Sequence, residues 1–353
     1  MRAMKPSLPL TQPPKSICIL RLSAIGDCTH VVPMVRTIQK HWPGTGITWI
    51  IGKLEASLVG DIEGVEFIVF DKSRRFRALV DLRRALAGRS FDVLLNLQVA
   101  LRASIVSLFV KASVRLGYDR ERARDAQRFF TTHRVEAVER QHVLDSFFEF
   151  TRALGLEERE LEWNLPIPSA AREFAASRFD RGREVLAINA SASKAIRNWS
   201  VEGYAAVADH AAAKLGLDVV LTGGPLTAEI ELAEAIEKAA DSRLLNLVGK
   251  TSLKELLAVI ERASVLVAPD TGPAHMGTTV GTPVIGLYAA SNPLRSGPYL
   301  SLEHTVNNYV EALQAECGAR VDDVRWGTRV RSSAAMETIT VEQVIEKLES
   351  IFS

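Results

Sequence analysis

The chain has 353 residues, 47% hydrophobic and 24% charged, which is the profile of a globular protein with two domains, each long enough to bury its own core. Its formal charge of +1 calls for no nucleic-acid partner. Its three cysteines, Cys18, Cys28 and Cys317, are too sparse for a disulfide framework or a structural zinc site, so a reducing, cytoplasmic setting fits.

Met1–Lys15 has no hydrophobic run of the signal-peptide kind and is expected to be a disordered lead-in. Ser16–Leu22 is a short apolar strand, with Cys18 as a small core residue, and the turn Ser23–Asp27 passes it into a helix with Val31, Val35 and Ile38 on one face. Strands follow at Ile47–Ile51, Val65–Phe70 and Phe91–Leu97. Helices are expected at Phe76–Ala87, Ala103–Val110 and Val135–Leu154, the last burying Val138, Val143, Phe147 and Phe150. The Pro-rich Leu165–Ser169 is a connector.

The pattern then restarts. Strands Val185–Asn189, Asp218–Thr222, Leu244–Leu247, Ser264–Ala268 and Pro283–Tyr288 alternate with helices Val201–Leu215, Ala228–Ala239, Leu253–Ala263 and Thr271–Val280. Such alternation predicts two doubly wound, Rossmann-like α/β lobes with parallel sheets, facing a cleft. The expected divisions are a lead-in at 1–15, a first domain at 16–168, a second at 169–335 and a C-terminal segment at 336–353, whose helix Val341–Ile351 is expected to cross back to the first lobe. Lys and Arg outnumber Asp and Glu by 25 to 19 in residues 1–165, and are outnumbered 18 to 23 in the remainder. Either the first half faces an anionic ligand or membrane, or two solvated surfaces simply differ. No apolar stretch approaches the ~20 residues that span a bilayer.

Four motifs stand at carboxyl ends of strands, where open α/β sheets bind ligands. In the first, Gly26 is expected to allow a tight turn and Asp27 either caps the following helix or is a general base at the cleft. No G-x-G-x-x-G pattern is present there, which argues against a dinucleotide cofactor. In the second, Asn189–Ser200 carries Ser191, Ser193, Lys194 and Arg197, hydroxyls and cations suited to a diphosphate or to plain solvation, with Trp199 as a packing anchor. In the third, Gly223 and Gly224 allow backbone contact with a nucleotide, and Glu229 either accepts from a ribose or favours a helix N-terminus. In the fourth, Asp270 and Thr271 are expected to cap a helix whose first turn, Gly272 to His275, forms an anion site.

These segments resemble the heptosyltransferases, glycosyltransferase family 9. Ile17–Asp27 is similar to the family's N-terminal motif. Asp270–His275, running on through Gly281–Tyr288, with Asn292-Pro293 and Gly297-Pro298, is similar to its donor-site signature. The resemblance covers most of residues 16–350. It implies the GT-B fold and inverting transfer of heptose from ADP-heptose to a lipopolysaccharide core acceptor, with no metal and no other cofactor. Asp27 matches the family's proposed base. Arg197 matches a phosphate-binding Lys, Glu229 falls near a ribose-binding acid, and Asp270, Thr271, Gly272 and His275 match donor-binding positions. Two departures are visible: Arg197 in place of Lys, and Ser200 in place of the usual Pro after the Trp. Gly26, Arg74, Arg75, Arg77 and Arg120 are expected on the acceptor side, since an anionic glycolipid needs cationic partners; solvation of two loops is the plainer alternative. The resemblance also implies peripheral contact with the cytoplasmic face of the inner membrane. Rival readings are another nucleotide-sugar transferase or epimerase of the same fold, and a binding protein without catalysis.

Overall fold

A computed structural model describes residues 7–125, 127–180 and 182–353. The chain divides into two compact units, Met1–Pro166 and Ile167–Ser353.

The first unit runs β1 (Ser16–Leu20), α1 (Ile25–His41), β2 (Gly46–Gly52), α2 (Lys53–Val59), β3 (Val65–Phe70), α3 (Phe76–Ala85), β4 (Phe91–Asn96), α4 (Leu101–Ser107), β5 (Ala112–Gly117), β6 (His133–Arg134) and α5 (Val143–Leu154). Its sheet is parallel with strand order β3-β2-β1-β4-β5-β6. β1 lies at the centre, with Ile17 opposite both Ile47 and Val93, and Ile17–Leu20 are fully buried because helices cover both faces. α3 and α4 bury Ala78, Leu82, Ala103 and Val106 against one face, while α1 packs with α5. Burial pushes the Cys18 thiol up to about 12, so it behaves as a small apolar side chain.

The second unit runs α6 (Ser169–Ala176), β7 (Val185–Asn189), α7 (Val201–Leu215), β8 (Asp218–Thr222), α8 (Thr227–Ala239), β9 (Leu245–Asn246), α9 (Leu253–Arg262), β10 (Val265–Pro269), α10 (Gly272–Val280), β11 (Val284–Tyr288), α11 (Pro293–Ser296), β12 (Val306–Asn307), α12 (Tyr309–Cys317) and α13 (Val341–Phe352). Its sheet is parallel in the order β12-β11-β10-β7-β8-β9. Read from β9, this is the order of the first sheet. The unit's core joins β7 and β8 to α7, α8 and α13 through Ile188, Leu221, Tyr204, Ile236, Val344 and Leu348.

Three expectations need correction. Residues 1–6 of the lead-in lie outside the described residues, but 7–15 are not a loose segment: Leu10 N–H donates to Leu154 O, and Pro14 and Lys15 carbonyls accept from Thr45 and Gly46. The helix expected over Val135–Leu154 starts only at Val143. Arg140 has φ 54°, which no helix continues through, and His142 Nδ1 accepts from Leu144 N–H to cap the start. Val138 therefore sits in a half-buried loop. The C-terminal helix, expected to cross back, packs in its own unit against α7, β11 and β12. The connector Leu165–Ser169 runs straight into α6, whose Arg172 makes a two-pronged pair with Glu261 of α9, both bonds 2.8 Å.

Trp163 fixes the end of the first unit. It is buried, and its indole N–H donates to Thr29 O at 3.0 Å on α1, while Trp163 O accepts from Arg36. Trp163→Ala should destabilise the first unit by about 3–5 kcal/mol in urea unfolding; a cost below about 1 kcal/mol would show that this anchor is dispensable.

Candidate functional site

In each sheet the strand order reverses between two neighbouring strands, β1 and β4 in the first unit, β7 and β10 in the second. The chain leaving those strands must diverge to opposite faces, which opens a crevice at their carboxyl ends. An Arg–Asp pair stands in each crevice.

In the first unit the pair is Arg21 and Asp27. Arg21 follows β1, and its guanidinium reaches across to Leu97 O after β4 and pairs with Asp27 Oδ2. Its carbon end lies over the Phe147 ring, 5.6 Å from the centroid. Burial works to lower the Arg21 pKa and is the largest single influence, but the Asp27 carboxylate together with Tyr118 and Cys28 outweighs it, and the net shift is upward. Asp27 is at the third helical position of α1, not at its cap; that position belongs to Ala24, whose N–H donates to Asp27 Oδ2 at 3.4 Å. One carboxylate thus serves both as half of a capping box and as the acid at the crevice. With a third of its side chain exposed, 33% against 12% for Arg21, Asp27 is the accessible partner. Gln98, after β4, ties the crevice together by accepting from Leu22 N–H at 2.8 Å and donating to Ser23 Oγ at 3.2 Å. Gly26 lies within the first helical turn, with its carbonyl accepting from Thr29 Oγ, so the turn it was expected to permit comes earlier in the chain.

The basic acceptor-side candidates are scattered over loops of the same unit. Arg74, Arg75 and Arg77 are exposed at the carboxyl end of β3, and Arg74 is paired with Asp81 at 2.6 Å. Arg120 is exposed after β5. Its neighbour Arg122 is committed to structure through Asp119, Gln141 and Glu136.

In the second unit the pair is Arg197 and Asp270. Arg197 Nη1 donates to Asp270 O at 2.6 Å and to Oδ2 at 3.0 Å, and Nη2 donates to Ser193 Oγ at 2.8 Å. Ser291, after β11, donates its hydroxyl to the same Oδ2 at 2.8 Å. The pair is largely buried, with 11% and 9% of the side chains exposed. Burial, together with the nearby Asp270 charge, pushes the Tyr288 phenol well above its usual range. The expected capping by Asp270 and Thr271 is absent. Asp270 is spent on Arg197 and Ser291, and Thr271, though at the cap position of α10, makes no hydrogen bond through its Oγ. Thr271 therefore gives the Gly272 and Ala274 amides of the first turn no capping side chain. His275 is buried one turn in, and Lys194 is exposed on the preceding loop.

A small hollow opens at the carboxyl ends of β7 and β8, with Ser191, Thr222, Gly223 and Glu229 at its polar side and Ile188, Leu221 and Val248 among its apolar walls. Gly224 N–H donates to Glu229 Oε2 at 2.6 Å. A Cβ on either glycine would stand 3.2 Å from the Glu229 carboxylate, so the Gly-Gly turn is the seat of that acid. Trp199 is the packing anchor its position suggested: buried, edge-on to Tyr204, and donating to Ile339 O at 3.0 Å. The departure at Ser200 has a local reason, since its Oγ caps α7 by accepting from Gly203 N–H.

Sequence reasoning missed Arg21, Gln98 and Ser291. Arg21 and Gln98 stand just past the two strands of the reversal, and that position was the available signal; Ser291 follows β11, outside the reversal, and had no such signal.

The family model "Glycosyltransferase family 9 (heptosyltransferase)" matches residues 79–321. The lipopolysaccharide core heptosyltransferase OpsX of Haemophilus influenzae is 39% identical over 341 residues, spanning 97% of this chain and 98% of that one. The chain belongs to glycosyltransferase family 9. Lipopolysaccharide heptosyltransferase 3 of Escherichia coli is a more distant relative, 22% identical over 78% of this chain and 83% of its own. Among solved structures, the family 9 glycosyltransferase of Veillonella parvula aligns with a TM-score of 0.79 at 22% identity over 99% of this chain and 98% of that one. The E. coli heptosyltransferase WaaC with ADP aligns at 0.70 and 18% identity, over 95% and 99%. The fold is GT-B, and this family 9 member is a glycosyltransferase.

Asp270→Ala in this glycosyltransferase strands a buried guanidinium, and should cost about 3–5 kcal/mol in urea unfolding. Asp270→Ala combined with Arg197→Met removes both charges and should recover most of that loss. A double variant as unstable as the single one would mean that the pair is not an electrostatic unit.

Proposed function

We propose that this chain transfers heptose from ADP-heptose to a lipopolysaccharide core acceptor, with inversion at the anomeric carbon and without a metal. The observation that carries this reading is the 39% identity to a lipopolysaccharide core heptosyltransferase along nearly the full length of both chains. The site residues support it. Glu229, held beside an apolar hollow, is placed to accept hydrogen bonds from ribose hydroxyls. Arg197, Ser193 and the uncapped first turn of α10 offer a fixed cation, a hydroxyl and backbone N–H groups to a diphosphate.

In the reaction, Asp27 takes the proton of the acceptor hydroxyl as its oxygen attacks the anomeric carbon, and the bond to the diphosphate breaks. Arg21 positions the Asp27 carboxylate. The charge that develops on the leaving ADP is met by Arg197 and the α10 amides, which are in place before the bond breaks. Gly26 lies in the same first turn as Asp27, next to the acceptor hydroxyl. Arg74, Arg75, Arg77 and Arg120 meet anionic groups of the acceptor. An acceptor of this kind is lipid-anchored, which puts the enzyme at the cytoplasmic face of the inner membrane as a peripheral protein. No helix among the described residues is long and apolar enough to cross a membrane.

Mass spectrometry of an isolated core acceptor incubated with ADP-heptose should show the gain of one heptose. Asp27→Asn should lower turnover by about 10²–10⁴-fold with donor affinity unchanged. Its stability cost stays near 1–3 kcal/mol, because the amide oxygen still accepts from Arg21 and Ala24. Turnover within a few-fold of wild type would exclude Asp27 as the base. ADP-heptose altered in the absence of acceptor would instead point to an epimerase.

A further inference from the structure

The crevice that holds Asp27 has a second acid beside it. Glu55 follows β2 as Asp27 follows β1, each at the third position of the helix after its strand, and α1 and α2 pack side by side. Glu55 is 7% exposed. Its carboxylate lies against the chain leaving β1: a Cβ on Gly52 would collide with both Glu55 Oε2 and Leu22 O. Gly52 is therefore the residue that lets the acid approach Leu22, next to Arg21. Cys28, the residue after Asp27, reports the same closeness. Burial pushes its thiol well up, and against the pull of Arg21 the charges of Glu55 and then Asp27 push it the same way.

An acid at that helical position ordinarily completes a capping box by accepting from the N-cap N–H, as Asp27 does from Ala24. Glu55 does not, because the Gly52 N–H donates to Leu22 O at 3.1 Å. Among the described residues the Glu55 carboxylate has one hydrogen bond, from its own backbone N–H. Burial holds its pKa above the ordinary value; that bond, Lys72 and Arg21 offset the burial only in part. The fold thus buries a carboxylate that caps no helix, beside the group that takes the acceptor's proton. A carboxylate held in that way lacks donors.

We infer that Glu55 is a second acid of the acceptor site: its carboxylate accepts a hydrogen bond from an acceptor hydroxyl other than the one that reacts, and this sets the sugar's orientation against Asp27. The inference rests on the Arg21–Asp27 crevice being the acceptor site. A sugar presents hydroxyls on neighbouring ring carbons, so acids on two adjacent helices can take two of them, one as the base and one as a fixed acceptor. The cations of this unit suit anionic groups, whereas an ionised carboxylate only accepts and so selects for donors. A hydroxyl supplies the donor that the protein itself does not, and a hydrogen bond to a charged group is among the stronger ones.

The test is calorimetric binding and steady-state transfer from ADP-heptose, with a deacylated core acceptor and its singly deoxygenated analogues, for the full wild-type chain, Glu55→Gln and Glu55→Asp. Glu55→Gln should raise the acceptor's Kd and KM about tenfold or more, with the donor KM and the melting temperature unchanged. Glu55→Asp keeps the charge but withdraws it by a methylene, and should raise the same constants by less; it decides the matter if the Gln variant does not fold. One deoxygenated analogue should bind the wild-type chain as weakly as the full acceptor binds Glu55→Gln, and the variant should not distinguish the two. Unchanged acceptor constants in Glu55→Gln overturn the assignment. So does a loss of kcat alone, or a variant that weakens every analogue by the same factor. Absent transfer with the binding difference intact counts against the transferase reading and not against Glu55.

Discussion

A doubly wound parallel sheet must uncover its own backbone at one place. Where the strand order reverses, the helices that follow neighbouring strands go to opposite faces, and nothing of the sheet's own construction covers the strand ends between them. Each unit has one such place, β1/β4 and β7/β10. In both, an arginine from the loop after the first strand of the pair bonds to a main-chain carbonyl in the loop after the other: Arg21 to Leu97 O, Arg197 to Asp270 O. The same cation then pairs with an aspartate. In each crevice the arginine ties together the two loops that diverge from the sheet.

The two pairs differ in what they leave accessible. In the first, the carboxylate is the more exposed partner, which suits a group that must reach a substrate proton. In the second, both partners are nearly covered and the aspartate is further held by Ser291. A buried ion pair of that kind adds little net stability. Its value lies in fixing the guanidinium at the first turn of α10, where Thr271 leaves the amides uncapped. A fixed cation with oriented N–H groups needs little rearrangement when charge develops on a leaving diphosphate. The charge of the chain follows the same division, with the Arg21–Asp27 pair in the basic half and the Arg197–Asp270 pair in the acidic half.

Much of this was legible in the sequence because buried parallel strands are written as unbroken apolar runs. VLAIN and DVVLT match β7 and β8 residue for residue. β5 was hidden by Arg115, whose head group leaves the strand to bond Phe130, Val110 and Ser107 carbonyls. β6 and β12 have two residues each, too few for any periodicity, whereas the equally short β9 falls within the expected Leu244–Leu247. Helical spacing before Val143 was overruled by the left-handed backbone at Arg140. At the sites, Asp27, Arg197, Glu229 and Asp270 were legible because turn glycines and capping residues flag strand ends. Arg21 and Ser291 were not, since an isolated Arg or Ser has no local pattern and gains its role only when the sheet brings two loops together.

The central claim is that the reversal point of the second sheet holds the nucleotide. A crystal structure of the chain with ADP tests it directly. The account predicts the ribose within hydrogen-bond distance of Glu229 beside the hollow, and the diphosphate at the first turn of α10 against Arg197, with the Arg197–Asp270–Ser291 bonds unchanged. ADP bound at the first sheet's crevice, or a diphosphate that leaves Arg197 and the α10 amides untouched, would contradict it.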